Sequence, residues 1–220
     1  MNVITNNIKN DIIRINSIIN KQYCAKTAKL LLDENMINEY KESKSVKKNL
    51  NLLKDILNQD NIEEKKINNI LDKFMIHIIP AGSKGARRGN KFNNIIKNHI
   101  LNLKLDENIF EIDFEKNCPI MKTDEKPDWY VYDKINKKSI IGMNQLDLWG
   151  GGAQLNRGFK YINDNKCNTK NCKLLCVVCN YTQLKSKNKK FNLLNNGFKN
   201  DTLCYINNLE TIIKNFFDIK

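Results

Sequence analysis

Isoleucine and leucine recur at helical spacing through the first third of the chain. Ile13, Ile15, Ile18 and Ile19 form one such set, Leu50, Leu53, Ile56 and Leu57 a second, and Ile67, Ile70, Leu71 and Phe74 a third. Steps of three and four residues gather side chains on one side of an α-helix, and neither Gly nor Pro interrupts residues 1–75. This stretch is predicted to be a helical N-terminal region, serving as a cap or a dimerisation element.

The pattern changes from Phe74 to Pro80. FMIHIIP is a short apolar run closed by a proline, which predicts a strand carrying His77, and AGSKGARRGNK after it predicts a glycine-rich loop. A helix is expected from Lys91 to about Leu103, with Asn90 as its N-cap. Residues 109–115 then alternate: Phe110, Ile112 and Phe114 face one way, and Glu111, Asp113 and Glu115 the other. Strands are predicted at 128–133 and 139–148, joined by a polar turn from Lys134 to Lys138. A helix from about Ala153 to Asn163, a buried strand at 173–180, a polar loop and a last helix at about 207–217 complete the order. Such an order predicts an α/β (α+β) fold over residues 76–220, a mixed central sheet with helices on both faces.

Charge sharpens this division. The chain has 220 residues, with 37 Lys+Arg against 24 Asp+Glu and a net charge of +13. Residues 1–75 hold 13 basic and 10 acidic side chains, a net of +3, so the remaining +10 lies in residues 76–220. Basic groups set near phosphates release counterions, so a polyanion such as double-stranded DNA is the expected partner. Lys84, Arg87, Arg88 and Lys91 punctuate the glycine-rich segment, where backbone N–H groups at a helix start could clamp a DNA backbone. No acid occurs between Asp164 and Asp201, while Lys185, Lys187, Lys189 and Lys190 crowd that interval. The longest apolar run, Leu174 to Cys179, is far too short to cross a bilayer. Seven cysteines and an N-terminus without an apolar leader segment predict reduced thiols in an intracellular, cytoplasmic chain. Cys176 and Cys179 are spaced as zinc ligands often are, but within KLLCVVC they fit a buried strand better.

The candidate chemistry lies in PDWYVYDKINKKSIIGMNQLDLWGGGAQLNRGFKY, residues 127–161. Asp128 heads one predicted strand. Gln145 and Asp147 share a face near the end of the next, because side chains alternate along a strand. A hairpin would set Asp128 across from them. Two carboxylates and an amide oxygen are hard ligands suited to Mg2+, which would polarise a phosphate and activate a water. The second carboxylate must come from Asp147 or from the face of Glu111, Asp113 and Glu115. Gln154, Arg157, Lys160 and Tyr161 lie on the following helix, with Gln154 and Arg157 as DNA contacts.

Residues 80–185 resemble the PD-(D/E)xK nuclease superfamily, the fold of many type II restriction endonucleases. Pro127-Asp128 matches the first half of its motif. Gln145-Leu146-Asp147 stands where an acid, any residue and a lysine are expected, and members of the superfamily tolerate Gln there. The resemblance implies a Mg2+-dependent endodeoxyribonuclease, acting as a homodimer on duplex DNA. Asp128 and Asp147 would hold the metal and Gln145 would assist. Lys160 is the first choice for the missing positive charge and Lys185 the second. The absent motif lysine favours an alternative, a non-catalytic DNA-binding protein that keeps the fold and the basic surface.

Overall fold

Among the described residues, the apolar positions at helical spacing in the first third lie in helices. The computed structural model describes residues 37–60, 62–79, 81–146, 153–163, 167–178 and 189–219. Helices α1 (Ile37–Lys41), α2 (Lys44–Gln59) and α3 (Glu64–Ile78) carry the expected periodicity. Tyr40, Val46, Ile67 and Met75 are buried. The set at Ile13 to Ile19 lies outside the described residues.

Two expectations at the next junction are corrected. The run FMIHII is not a strand: α3 continues through it to Ile78, and His77 is helical. Ile67, Leu71 and Met75 keep the four-residue step of the preceding turns, and that register overrides the local enrichment in isoleucine. The helix stops at Ile79, whose backbone is extended (ψ 123°), as sterics require of a residue before proline. The glycine-rich segment is not a loop. Residues Ala81–Leu101 form one helix, α4, so Asn90 is no N-cap and Lys84, Arg87, Arg88 and Lys91 do not form a phosphate-cradling turn. Each glycine costs such a helix about 1 kcal/mol relative to alanine, but the segment also holds strong helix formers in Ala81, Lys84, Ala86, Arg87, Arg88 and Lys91. Gly82, Gly85 and Gly89 face open space.

The chain separates into two compact units, the helical one from Lys26 to Asn90 and a second containing Lys91 to Lys220. The second is built on a five-stranded mixed sheet in the order β1 (Phe110–Phe114), β2 (Trp129–Asp133), β3 (Lys138–Gln145), β4 (Cys172–Val178) and β5 (Leu203–Tyr205). Strands β1, β2 and β3 are antiparallel neighbours. Strand β4 runs parallel to β3, and β5 parallel to β4. Each parallel step needs a crossover, supplied by helix α5 (Ala153–Ile162) and by helix α6 (Lys189–Lys199). A short 3-10 turn at Ile206–Asn208 leads into α7 (Leu209–Phe216).

Strand register assigns the two faces. Phe110, Ile112 and Phe114 share one with Trp129 and Val131. Residues 91–101 of α4 and the end of α7 lie on this face: the Lys97 ammonium sits 4.8 Å from the Phe114 ring centre, and the Phe110 and Phe217 rings meet at 5.2 Å. On the other face Tyr130, Ile141, Met143, Leu174 and Cys176 pack with Tyr161 and Ile162 of α5 and Leu194 of α6. The expectation of a mixed sheet flanked by helices therefore holds.

Three boundaries differ from the sequence reading. The described part of β3 ends at Gln145, three residues short of the expected end. Part of the expected polar loop after β4 is helix α6, and β5 precedes the final helix. Leu194 and Phe198 lie toward the core from α6, a spacing masked in the sequence by the surrounding Asn and Lys. Cys118, Cys167, Cys172, Cys176 and Cys204 are buried, so Cys176 is a core residue as expected. Among the described residues no helix is long and apolar enough to cross a membrane.

Candidate active site

Asp128 immediately precedes β2, and its backbone is already in the ladder: its N–H donates to the Gly142 carbonyl (3.0 Å), and its own carbonyl accepts from Glu115 N–H (3.0 Å). Its side chain is half-buried. Oδ2 accepts the backbone N–H of Asn144 at 2.6 Å, and Oδ1 accepts the Asn93 side-chain amide at 2.9 Å. Burial pushes the Asp128 pKa up, opposed by the hydrogen bonds from Asn144 and Asn93. Among nearby charges Glu115 pushes the pKa further up and Arg157 draws it down. The acid is thus fixed in direction but short of compensating positive charge.

Glu115 lies just beyond β1 with φ +54°, a left-handed conformation uncommon for a residue with a β-carbon. The other two acids of its strand face are otherwise engaged. Glu111 accepts a hydrogen bond from the Tyr130 hydroxyl, and Asp113 is held by Lys116 at 2.6 Å. The Lys116 hydrogen bond depresses the Asp113 pKa most, against a smaller penalty from burial. Of the three acids offered by that face, Glu115 is the one placed beside Asp128.

Gln145 ends β3, half-buried, on the sheet face of Ile141 and Met143. Asp147 lies outside the described residues, as do Lys185 and Lys187. Gln154 is in the first turn of α5, and Lys189 and Lys190 begin α6. Arg157 is exposed on α5, with its field on Asp128. Lys160, three residues on, is occupied elsewhere: its ammonium lies 3.4 Å from Asp124 and 3.8 Å from Glu125. Glu125 also accepts the Tyr161 hydroxyl at 2.5 Å. The segment leading into Pro127-Asp128 is thereby tied to α5. Arg87 pairs with Glu39 (3.7 Å) and stacks over Tyr40 (5.4 Å), while Lys84, Arg88 and Lys91 share its α4 helix.

Mg2+ takes oxygen ligands, uses one or two carboxylates and keeps several waters. Asp128, Glu115 and Gln145 supply oxygens of that kind, and a divalent cation beside Asp128 would offset the excess of negative field there. Among the described residues no three His, Cys, Asp or Glu side chains converge as a ready metal cluster.

Asn93, Asn144 and Trp129 are the site residues that sequence reasoning passed over. The asparagines carry no signal in a chain rich in asparagine, and Asn93 is brought to Asp128 only by the packing of α4. Glu115 was visible as one of three alternating acids but not distinguishable from the other two. Compared with protein-family models, with curated proteins and with solved structures, the chain shows no match.

Proposed function

We propose that this chain is a Mg2+-dependent endodeoxyribonuclease of the PD-(D/E)xK type, resembling type II restriction enzymes, that hydrolyses phosphodiester bonds in duplex DNA. The observation that carries the reading is the Asp128 carboxylate. It stands at the head of the β2–β3 hairpin, half-buried, gripped on both oxygens, with Glu115 and Arg157 acting on it. An acid fixed and short of positive charge is suited to a cation and a phosphate. Asp128 with Glu115 or Asp147 would hold Mg2+, with Gln145 assisting. The ion would polarise the phosphate and activate the attacking water. Arg157, exposed and charge-coupled to Asp128, replaces Lys160 as our choice for stabilising charge on the phosphate. The net charge of +13 supports a polyanionic partner. Cutting both strands calls for a homodimer, and exposed Leu52 and Ile56 of α2 offer apolar surface for such contact. We place the protein in the cytoplasm on its thiol usage.

A non-catalytic DNA-binding protein is the competing reading, favoured by the engagement of Lys160 with Asp124 and Glu125. Supercoiled plasmid incubated with the protein in Mg2+ or in EDTA separates the two. We expect linear or nicked product in Mg2+ alone. Binding in both buffers, with no product at any Mg2+ or Mn2+ concentration, would establish the alternative.

A further inference from the structure

Three side chains and the candidate acid itself form a chain of hydrogen bonds with only one possible direction. The Trp129 indole N–H donates to Asn144 Oδ1 at 3.0 Å. Asn144 Nδ2 donates to Asn93 Oδ1 at 3.1 Å. Asn93 Nδ2 donates to Asp128 Oδ1 at 2.9 Å. An indole can only donate and an ionised carboxylate can only accept, whereas an amide does both. With a donor fixed at one end and an acceptor at the other, both amides have a single orientation that satisfies every bond. Flipping either would set oxygen against oxygen and nitrogen against nitrogen. Asn144 closes the ring by donating its backbone N–H to Asp128 Oδ2 at 2.6 Å.

The hairpin is shaped for the first member. Trp129 and Gly142 are cross-strand partners, and the indole lies directly over the glycine: a β-carbon at Gly142 would fall 1.8 Å from Trp129 Cε2 and 2.2 Å from Nε1. Only glycine admits the ring there, and Asn144, two residues along on the same face, meets the ring nitrogen. The indole is itself 1% exposed, so water is not a ready substitute for its acceptor. Leaving a buried indole N–H without a partner is costly, which holds the Asn144 amide in its orientation.

We propose that Trp129, Asn144 and Asn93 are positioning residues, a directional relay that fixes the Asp128 carboxylate in one orientation and leaves each of its oxygens free to accept a second partner. The metal-binding part of this proposal rests on the nuclease reading; the relay itself does not. Outer-sphere partners of this kind typically change metal affinity or activity 10–100-fold when removed.

Trp129→Phe keeps a ring over Gly142 and removes only the N–H. Asn93→Ala removes the last donor. Two measurements decide the matter: the side-chain amide resonances of Asn93 in the 15N-labelled protein, and a titration with Mn2+ alone followed by the spin signal of the free ion. We expect Trp129→Phe to move the Asn93 amide resonances, two hydrogen bonds from the substitution. Both variants should raise the Mn2+ midpoint about tenfold while duplex binding in EDTA stays at the wild-type level. A merely structural role would not couple these readouts. Unmoved Asn93 resonances overturn the relay, and an unchanged Mn2+ midpoint overturns the positioning role. If wild-type protein binds no Mn2+ and cuts no DNA while the resonances still move, the nuclease reading fails and the relay stands. Should Trp129→Phe not fold, Asn93→Ala carries the same test, with the Trp129 indole N–H as the resonance observed.

Discussion

The two ends of strand β2 each carry an aspartate, and burial has opposite outcomes at them. Asp133 has almost no exposed surface, and its pKa is lowered. Burial pushes it up, but the N–H groups of Ile135 and Asn136 and the Asn136 amide donate to it at 2.8, 2.9 and 2.7 Å, and the Lys138 charge adds to them. Asp128 has two donors and an acidic neighbour, and its pKa is raised, chiefly by burial. The balance between burial and the donors and charges around a carboxylate decides its state. Asp133 is a saturated acid that builds a turn. Asp128 is an unsaturated one that remains available to a ligand.

Exchanging the fates of these two residues is the strongest way to break the comparison. Asp128→Ala should abolish Mg2+-dependent plasmid cleavage and leave duplex binding in EDTA intact or tighter, since a negative charge near the phosphate is removed. Asp133→Ala should do the reverse. It strips the acceptor from three N–H donors of the turn, so we expect a loss of about 1–3 kcal/mol in urea unfolding, with cleavage per folded molecule unchanged. The linkage differs too. A lowered folded pKa means that Asp133 contributes stability above its unfolded value of about 3.9, lost as pH falls through the folded value. Asp133→Asn should therefore flatten the acid limb of the stability curve. Cleavage by Asp128→Ala at the wild-type rate would end the catalytic assignment.

A finer test compares the two cations of α5. Arg157 is exposed and acts on Asp128, whereas Lys160 is paired with Asp124 and Glu125. If position relative to Asp128 is what matters, Arg157→Ala should slow cleavage about 10- to 100-fold, in the range of a lost charge-stabilising donor. Lys160→Ala should change it less than about threefold, since exposed ion pairs contribute little. The reverse order would return the role to Lys160.

These contrasts also mark how far the sequence could be read. Strand β2 and most of β3 were legible because their apolar runs and the polar turn between them are local, and Asp128 was legible because it precedes such a strand beside Pro127. The helical nature of AGSKGARRGNK was not, because glycine's local cost is overridden by continuity with the amphipathic turns from Phe92 to Ile100, which are buried in the core. Nor was the partnership of Asn93 with Asp128, which spans 35 residues and depends on where α4 settles on the sheet. Glu115 shows the intermediate case, where alternation supplied three equivalent acids and the fold distinguished one.

The smallest expected effect extends the contrast to a base. His99 lies in α4, its pKa lowered mainly by burial, with the charge of Glu210 opposing. Its Nε2 is buried and, among the described residues, has no hydrogen-bond partner. Like Asp128 it has too few partners to offset burial, but for a base the disfavoured charged form is the protonated one. The unfolded chain therefore binds the proton more readily than the fold does. Stability from this residue is complete above the unfolded pKa of 6.5 and is lost as pH falls toward the depressed folded value. The loss is at most about 1.4 kcal/mol for each unit of separation, and less because the ring is only partly buried. His99→Leu removes the titration while keeping an apolar side chain in its place. Urea unfolding at pH 7.5 and 5.0 should show wild type losing more stability across that interval than His99→Leu does. Equal losses would mean that water or a rearranged Glu210 satisfies the imidazolium, and that burial at this position is compensated as fully as it is at Asp133.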